Sequence, residues 1–267
     1  MIEIIDRITD QKALENAVKR FREKEIVLPT FAQQADPDKI PRPIKKRLKQ
    51  VGLWDINPLN LFRITWKNEA REKGGLYGPV NYLELPSLIT GTQARIVMLV
   101  GKWFPTGAHK VGAAYGCLAP RIITGGYDPT YHKAVWPSTG NYCRGGAFDS
   151  KLMGSDSVAI LPEEMSQERF SWLREEIGCE VIATPGCESN VKEIYDACWE
   201  IRRTRPDCLV FNQFEEFGNA AWHYNVTGKA LEEAYDRVRS PRSRMAAYVS
   251  ATGSAGSIAG GDYLRTI

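Results

Sequence analysis

The chain has 267 residues, 43% of them hydrophobic and 25% charged. That is enough for a sizeable core, and it excludes a disordered tail, a collagen-like repeat and a small disulfide scaffold. The 35 basic and 32 acidic residues leave a net charge of +3, which favours neither nucleic acid nor an acidic membrane surface as a partner.

Residues 1–25 are charged throughout and lack the apolar core of a signal peptide. The most apolar stretch, 94–100, contains Arg95 and is soon followed by Lys102, so no membrane span is expected. Cys117, Cys143, Cys179, Cys187, Cys198 and Cys208 are scattered without a CxxC pair and read as free thiols of a cytoplasmic protein. His109, His132 and His223 do not lie at ligand spacing from one another, so no metal is expected.

In chain order, 11–25 carries a helical pattern with Leu14, Val18 and Phe21 on one face. The stretch 29–49, with Pro29, Pro37, Pro41 and Pro43, reads as an irregular arm whose basic run 45–49 is a solvated face. From about residue 83 short apolar runs, glycine-rich turns and amphipathic segments alternate. Strands are expected at 94–101, 134–137, 157–161, 180–183, 209–211 and 245–251. Helices are expected at 110–118, 141–152, 166–177 (capped by Ser166), 189–203, 219–238 and from 257 onward. Such alternation argues for a mostly parallel sheet covered on both faces, with ligands at the C-terminal ends of the strands.

Three of the strand-to-helix loops can carry chemistry. Gly253, Ser254, Ala255, Gly256 and Ser257 follow an expected strand and open a helix. Unpaired backbone N–H groups there suit a phosphate, although a plain glycine turn explains the loop equally well. It lacks the lysine of a P-loop. The loop at 103–110 ends in Lys110, in the first turn of a helix continued by Val111, Gly112, Ala113 and Ala114. An inward-facing lysine there would be desolvated, its free amine available for Schiff-base chemistry; the alternative is a surface lysine. In the third loop Ser138, Thr139, Gly140 and Asn141 offer hydroxyls and backbone amides to a carboxylate, or simply cap a helix.

The three loops occur in the order lysine, Ser/Thr/Asn, phosphate, and here the sequence resembles the fold-type II pyridoxal 5'-phosphate (PLP) enzymes, cysteine synthase and cystathionine beta-synthase in particular. IVMLVGKWFPTGAHK (96–110) resembles the family's strand, Pro-Thr-Gly and PLP lysine. Residues 138–142 resemble its Thr-Ser-Gly-Asn-Thr substrate loop. LPEEMSQERFSWLREEIGCEVIATPG (161–186) is similar to its Pro-Glu-x-Met-Ser-x-Glu-Arg helix and following strand. FNQFEEFGNAAWHYNVTG (211–228) resembles its Asn-Gln-Phe, His-Tyr and Thr-Gly stretch, and GSAGSIAG (253–260) its phosphate loop. The resemblance spans roughly residues 80–267 and leaves 1–75 uncovered.

The resemblance implies two three-layer α/β domains with mostly parallel sheets and PLP between them. The larger, phosphate-binding domain would comprise 76–103 and 215–267, the smaller, mobile one 104–214, and 1–75 an N-terminal helical or irregular extension. Lys110 would be the Schiff-base lysine and proton shuttle. Asn141 would bond the cofactor's phenolic oxygen. Ser138, Thr139, Gly140, Asn141 and Gln213 would hold the substrate, and Gly253, Ser254, Ala255, Gly256 and Ser257 the phosphate. The implied reaction is β-replacement or β-elimination on an amino acid through an aminoacrylate, in a homodimer with or without a second subunit. Other readings are an amino-acid ammonia-lyase or dehydratase, a PLP-carrying subunit, and a non-catalytic PLP- or nucleotide-binding module.

Ala108-His109-Lys110 departs from the cysteine synthases and looks like the tryptophan synthase beta subunit, which adds His109 to the implied phosphate ligands. Trp136-Pro137 stands where that enzyme has an acidic residue, which disfavours indole chemistry. Tyr142 and Cys143 replace small residues of the family. His223 reads as a structural hydrogen-bonding residue, and Met165 and Trp172 as core. In the resembling family further strands and helices follow the phosphate loop and supply a Ser, Thr or Cys to the pyridine nitrogen. The chain is therefore expected to stop short of the C-terminal part of its larger domain.

Overall fold

The first helix, α1 (Gln11–Glu23), starts at Asp10, whose carboxylate accepts the Ala13 amide at 3.0 Å and pairs a donor the helix cannot satisfy itself. The computed structural model describes residues 7–69 and 76–267; residues 1–6 and 70–75 of the expected extension lie outside them. The apolar face of α1 is rotated from the expected one: Ala13 and Ala17 are buried, whereas Val18 is 40% exposed. Phe21 still packs on the core from the flank of that face.

The stretch 29–49 is not an irregular arm. Thr30 and Gln33 form a capping box on α2 (Phe31–Ala35), Asp36 caps a 3₁₀ turn at Pro37–Lys39, and α3 (Arg42–Leu48) follows. The prolines sit in or beside first turns, where a missing N–H costs nothing. In the basic run Lys46, Arg47 and Lys49 are exposed. The stretch 26–66 around it is also tied to the remainder of the chain. The Trp222 indole donates to the Gln34 side chain (2.9 Å), the Trp66 indole to the Thr227 hydroxyl (2.9 Å), and Ile26, Leu61 and Ile64 join the main core.

The apolar run at 94–101 pairs as a hairpin rather than in a parallel sheet. β1 (Tyr82–Leu85) and β2 (Ile96–Leu99) are antiparallel, joined through α4 (Ser87–Thr90). Then α5 (Lys110–Ile123) runs five residues beyond the expected end and carries Pro120 inside it.

Four strands form the central sheet: β3 (Lys133–Pro137), β4 (Asp156–Pro162), β5 (Glu180–Thr184) and β6 (Cys208–Val210), all parallel, in the order β5-β4-β3-β6. The pleat divides their side chains. Ala134, Trp136, Ala159 and Leu161 enter the main core with residues of α5 and of α6 (Asn141–Leu152). Val135, Val158 and Ile160 face Ile194, Cys198 and Ile201 of α8 (Val191–Thr204) on the other side. Between α6 and α8 in the chain, α7 (Gln167–Ser171) continues into a π-helical turn at Trp172–Ile177; the Ser166 side chain before it accepts no capping hydrogen bond, contrary to the expected cap. The result is a three-layer α/β unit, as the strand–helix alternation implies.

After β6 come α9 (Phe217–Trp222), a π-helical turn at His223–Thr227 and α10 (Gly228–Val238) as one continuous run. The strand expected at 245–251 does not form. The segment forms no ladder with any described residue, and Val249 is 90% exposed; an extended chain becomes a strand only where a neighbour takes its N–H and C=O groups. A 3₁₀ turn at Gly256–Ile258 leads into α11 (Ala259–Leu264).

Two glycines set how closely α5 approaches α9. A Cβ on Gly112 would overlap the Trp222 indole, and one on Gly116 would overlap the Gly218 carbonyl oxygen. The second obstacle is backbone and cannot swing aside. Gly116→Ala is therefore expected to destabilise the protein by about 1–3 kcal/mol through overpacking, read as a lower denaturant midpoint; an unchanged midpoint would show that the two helices can part at little cost.

Candidate active site

Strand order determines where a ligand can sit. The chain moves outward from β3 to β4 to β5, then crosses to the opposite side of β3 to form β6. The loops leaving β3 and β6 consequently diverge, and the C-terminal ends of strands at such a switch point are where open α/β sheets take ligands. These loops carry Ser138–Asn141 and Gln213.

Lys110 reaches the same place from the start of α5. Its Nζ donates to Gln213 Oε1 at 2.9 Å and to Ser254 Oγ at 3.1 Å. Ser254 Oγ also receives the Asn219 amide at 3.0 Å, and the same amide donates to the Gln213 carbonyl at 3.1 Å. Three loops spread over 145 positions thus converge on one amine. Among the described residues no carboxylate pairs with it, and burial holds its pKa below that of an ordinary lysine.

Of the phosphate-loop residues, Gly253 faces open space, Ala255 adopts a left-handed φ of 60°, and a Cβ on Gly256 would overlap the Asn219 side-chain amide. The Ser257 hydroxyl is paired with Ser250 (2.7 Å), and the Ser257 carbonyl accepts from Tyr248 (2.8 Å). The loop is thereby shaped by its own contacts.

The Ser/Thr/Asn loop lies against the lysine helix. A Cβ on Gly145 would stand 2.7 Å from Val111 Cα, and Asn141, four residues earlier, shares that face of α6. Asn141 is exposed. Ser138 is buried and its Oγ accepts the Gly140 amide at 3.1 Å. The Thr139 carbonyl accepts Arg169 Nη1 at 3.3 Å.

His109 stacks on Trp66 (centroids 5.7 Å apart) and meets His223 edge-on at 5.3 Å. Burial, assisted by the Lys110 charge, pushes its pKa down to about 4, so the imidazole is neutral at pH 7. His223 is also held neutral by burial; its Nδ1 pairs with Thr227 Oγ1 at 2.8 Å, while Nε2 is buried without a partner among the described residues. Met165 and Trp172 pack on the main core. Cys143 is buried, with its thiol pushed up to about 12 by desolvation, so it is not a thiolate at neutral pH.

Several neighbours of the site have no part in the sequence-based expectations. Thr106 has φ 66° and a buried, unpartnered hydroxyl two residues before Ala108; a β-branched residue in the left-handed region is a strained position. Asn219, Arg169 and Trp54 were also without an assigned part. Asn219 and Arg169 lie within motifs quoted for the resemblance, whereas nothing in residues 1–75 signalled Trp54.

No family model matches the chain. It is 26% identical over 193 residues to a probable cysteine synthase of Bacillus subtilis, covering 72% of this chain and 60% of that protein. It is 24% identical over 179 residues to cystathionine beta-synthase of Saccharomyces cerevisiae, covering 66% and 35%. Among solved structures, an O-acetylserine dependent cystathionine beta-synthase from Helicobacter pylori superposes with a TM-score of 0.61 at 20% identity, over 71% of this chain and 60% of that one. Cysteine synthase from Entamoeba histolytica superposes with a TM-score of 0.60 at 22% identity, over 71% and 55%. The chain therefore spans no more than 60% of the length of these relatives. In sequence and in fold the chain is thus similar to cysteine synthases and cystathionine beta-synthases.

Proposed function

We propose that the chain carries the PLP site of an enzyme that performs β-replacement or β-elimination on a small amino acid. The observation that supports this most is the position of the Lys110 amine, between Gln213 at 2.9 Å and Ser254 at 3.1 Å. The donor set fits the cofactor. A desolvated amine free of carboxylates suits its aldehyde, and the hydroxyl of Ser254 with the open side of Gly253 suits its phosphate. Gly253, Ser254, Ala255, Gly256 and Ser257 would hold the phosphate, with the neutral His109 able to add one N–H donor. Asn141 would bond the phenolic oxygen.

Bound PLP supplies an electron sink for the pair left when the α-proton departs. The protein's own part is binding and proton transfer. Ser138, Thr139 and Gly140 offer hydroxyls and amides to the substrate carboxylate, and Gln213 orients it from the β6 side. Lys110 Nζ, deprotonated at lower pH than an ordinary lysine, takes the α-proton as general base. Burial of Val111, Ala113 and Ala114 behind it excludes water from that side. We further assign 104–214 to a smaller unit that moves over the substrate and 76–103 with 215–267 to the unit that holds the phosphate. Cytoplasmic location and a homodimer complete the proposal; among the described residues no helix is long and apolar enough to cross a membrane.

Titration of the purified chain with PLP, followed by borohydride reduction and peptide mapping, tests this reading. The cofactor is expected on Lys110 alone. Absence of label, or label on a different lysine, would overturn it, and binding of a nucleotide at 253–257 without involvement of Lys110 would favour a nucleotide-binding module.

A further inference from the structure

Residues 1–75 have no counterpart in the motifs that carry the resemblance, yet one of their side chains reaches the candidate site. Trp54 is 46% exposed but is not loosely held. It sits on a turn in which Gly52 N–H donates to Asp55 Oδ2 at 2.7 Å. The fully buried Asn60 amide donates to the carbonyls of both Gly52 and Asp55 at 2.8 Å. An exposed indole presented by such a braced turn has given up its freedom in advance.

The ring edge lies on the lysine loop: a Cβ at Gly107, three residues before Lys110, would stand 3.4 Å from Trp54 Cζ2. Gly107 has φ +73°, so its backbone favours glycine. The ring face lies under Arg144, three residues after Asn141 in the first turn of α6, with the guanidinium 5.3 Å from the Trp54 centroid and 4.6 Å from that of Trp172. Trp54 and Trp172 meet edge-on at 6.4 Å. Arg144 Nη2 is tied to Glu168 at 2.9 Å. One indole therefore lies beside the loop that bears Lys110 and stacks on the helix that starts at the Ser/Thr/Asn loop.

We propose that Trp54 is a positioning residue: through Gly107 and Arg144 it fixes the lysine loop and the substrate-loop helix relative to each other. The proposal rests on the reading of these loops as the PLP and carboxylate sites. Its physical basis is that a carboxylate held on 138–141 and an amine carried by 104–110 act on one substrate only if the two segments keep a constant separation. A cation–aromatic stack is suited to this, being directional and partly desolvated.

Hydrogen–deuterium exchange on the full chain without cofactor gives the first test. Trp54→Ala should speed exchange together at 104–110 and 138–146, by about tenfold, with Trp54→Phe returning both to within about threefold. Wild-type rates in those two segments, or loosening confined to 50–57, would overturn the proposal. The second test uses the PLP-loaded chain with serine as probe. Trp54→Ala should raise the half-saturating serine concentration about tenfold, with borohydride labelling of Lys110 unchanged and Trp54→Phe near wild type. An unchanged serine response in Trp54→Ala also overturns it. Failure of the wild type to take label on Lys110 would instead sink the reading of the site, and the exchange measurement, which needs no cofactor, would still decide whether Trp54 couples the two segments.

Discussion

Lys110→Met is expected to abolish covalent capture of PLP and to lower amino-acid turnover by at least about 10²–10⁴, while making the cofactor-free protein more stable. The two effects have one cause. The Lys110 amine is desolvated without a compensating carboxylate, which favours the neutral, nucleophilic form and disfavours the charged one. The folded state accordingly binds this proton less tightly than the unfolded chain does. Below the folded-state pKa the lysine opposes folding, and the opposition fades as pH rises toward the unfolded value of about 10.4. Methionine keeps the length and drops the charge, so a gain of roughly 0.5–2 kcal/mol at pH 7 is expected, narrowing in alkaline solution. Denaturant titrations at pH 7 and pH 10 measure it. A variant that is less stable at pH 7, or that still takes label on another lysine, contradicts the account.

Asp149→Asn should stabilise the protein as well, with the opposite dependence on mechanism: here the group serves no step in the proposed reaction. Asp149 lies in α6, is fully buried, and among the described residues neither carboxyl oxygen has a hydrogen-bond partner. Desolvation raises its pKa well above the usual carboxylate range. Because the folded pKa exceeds the unfolded one, its contribution is fully present below the unfolded value of about 3.9 and is lost as pH rises through the folded pKa. At pH 8 the wild type thus carries a cost that asparagine lacks. A gain of about 1–3 kcal/mol is expected there, shrinking toward pH 4. Parallel stability–pH curves for the two proteins would show that Asp149 finds a partner or a charge-stabilising neighbour.

The sequence made α6 readable to the residue, because a Ser/Thr/Gly start and the β3 run that precedes it both mark Asn141 as the first turn. The helix ending at Val238 and the parallel strands β3 to β6 were legible for a similar reason: apolar runs between turn residues carry their own boundaries. The expectation of an irregular arm at 29–49 fails because its prolines occupy or flank first turns, where proline is compatible with a helix. The strand expected at 245–251 failed on a different ground. Its residues suit an extended backbone, but pairing depends on a neighbouring strand, which local pattern cannot supply.

For the site, each loop read alone has a plain alternative, and only the order of the three loops together with the family resemblance points to Lys110, the 138–141 loop and the 253–257 loop. What depended on tertiary structure was their meeting. Lys110, Gln213 and Ser254 come within hydrogen-bond distance because β6 returns to the far side of β3, an arrangement set by sheet order. The depressed pKa of Lys110 and the neutrality of His109 follow from burial, which is a property of the packed whole. Trp54 shows the same division most clearly. As a residue in an uncovered stretch it had no assignable part, and only the fold of residues 50–60 against α6 and the lysine loop places its indole on Gly107 and under Arg144. Residue type thus determined which chemistry was available, and long-range packing decided which groups could act on one another.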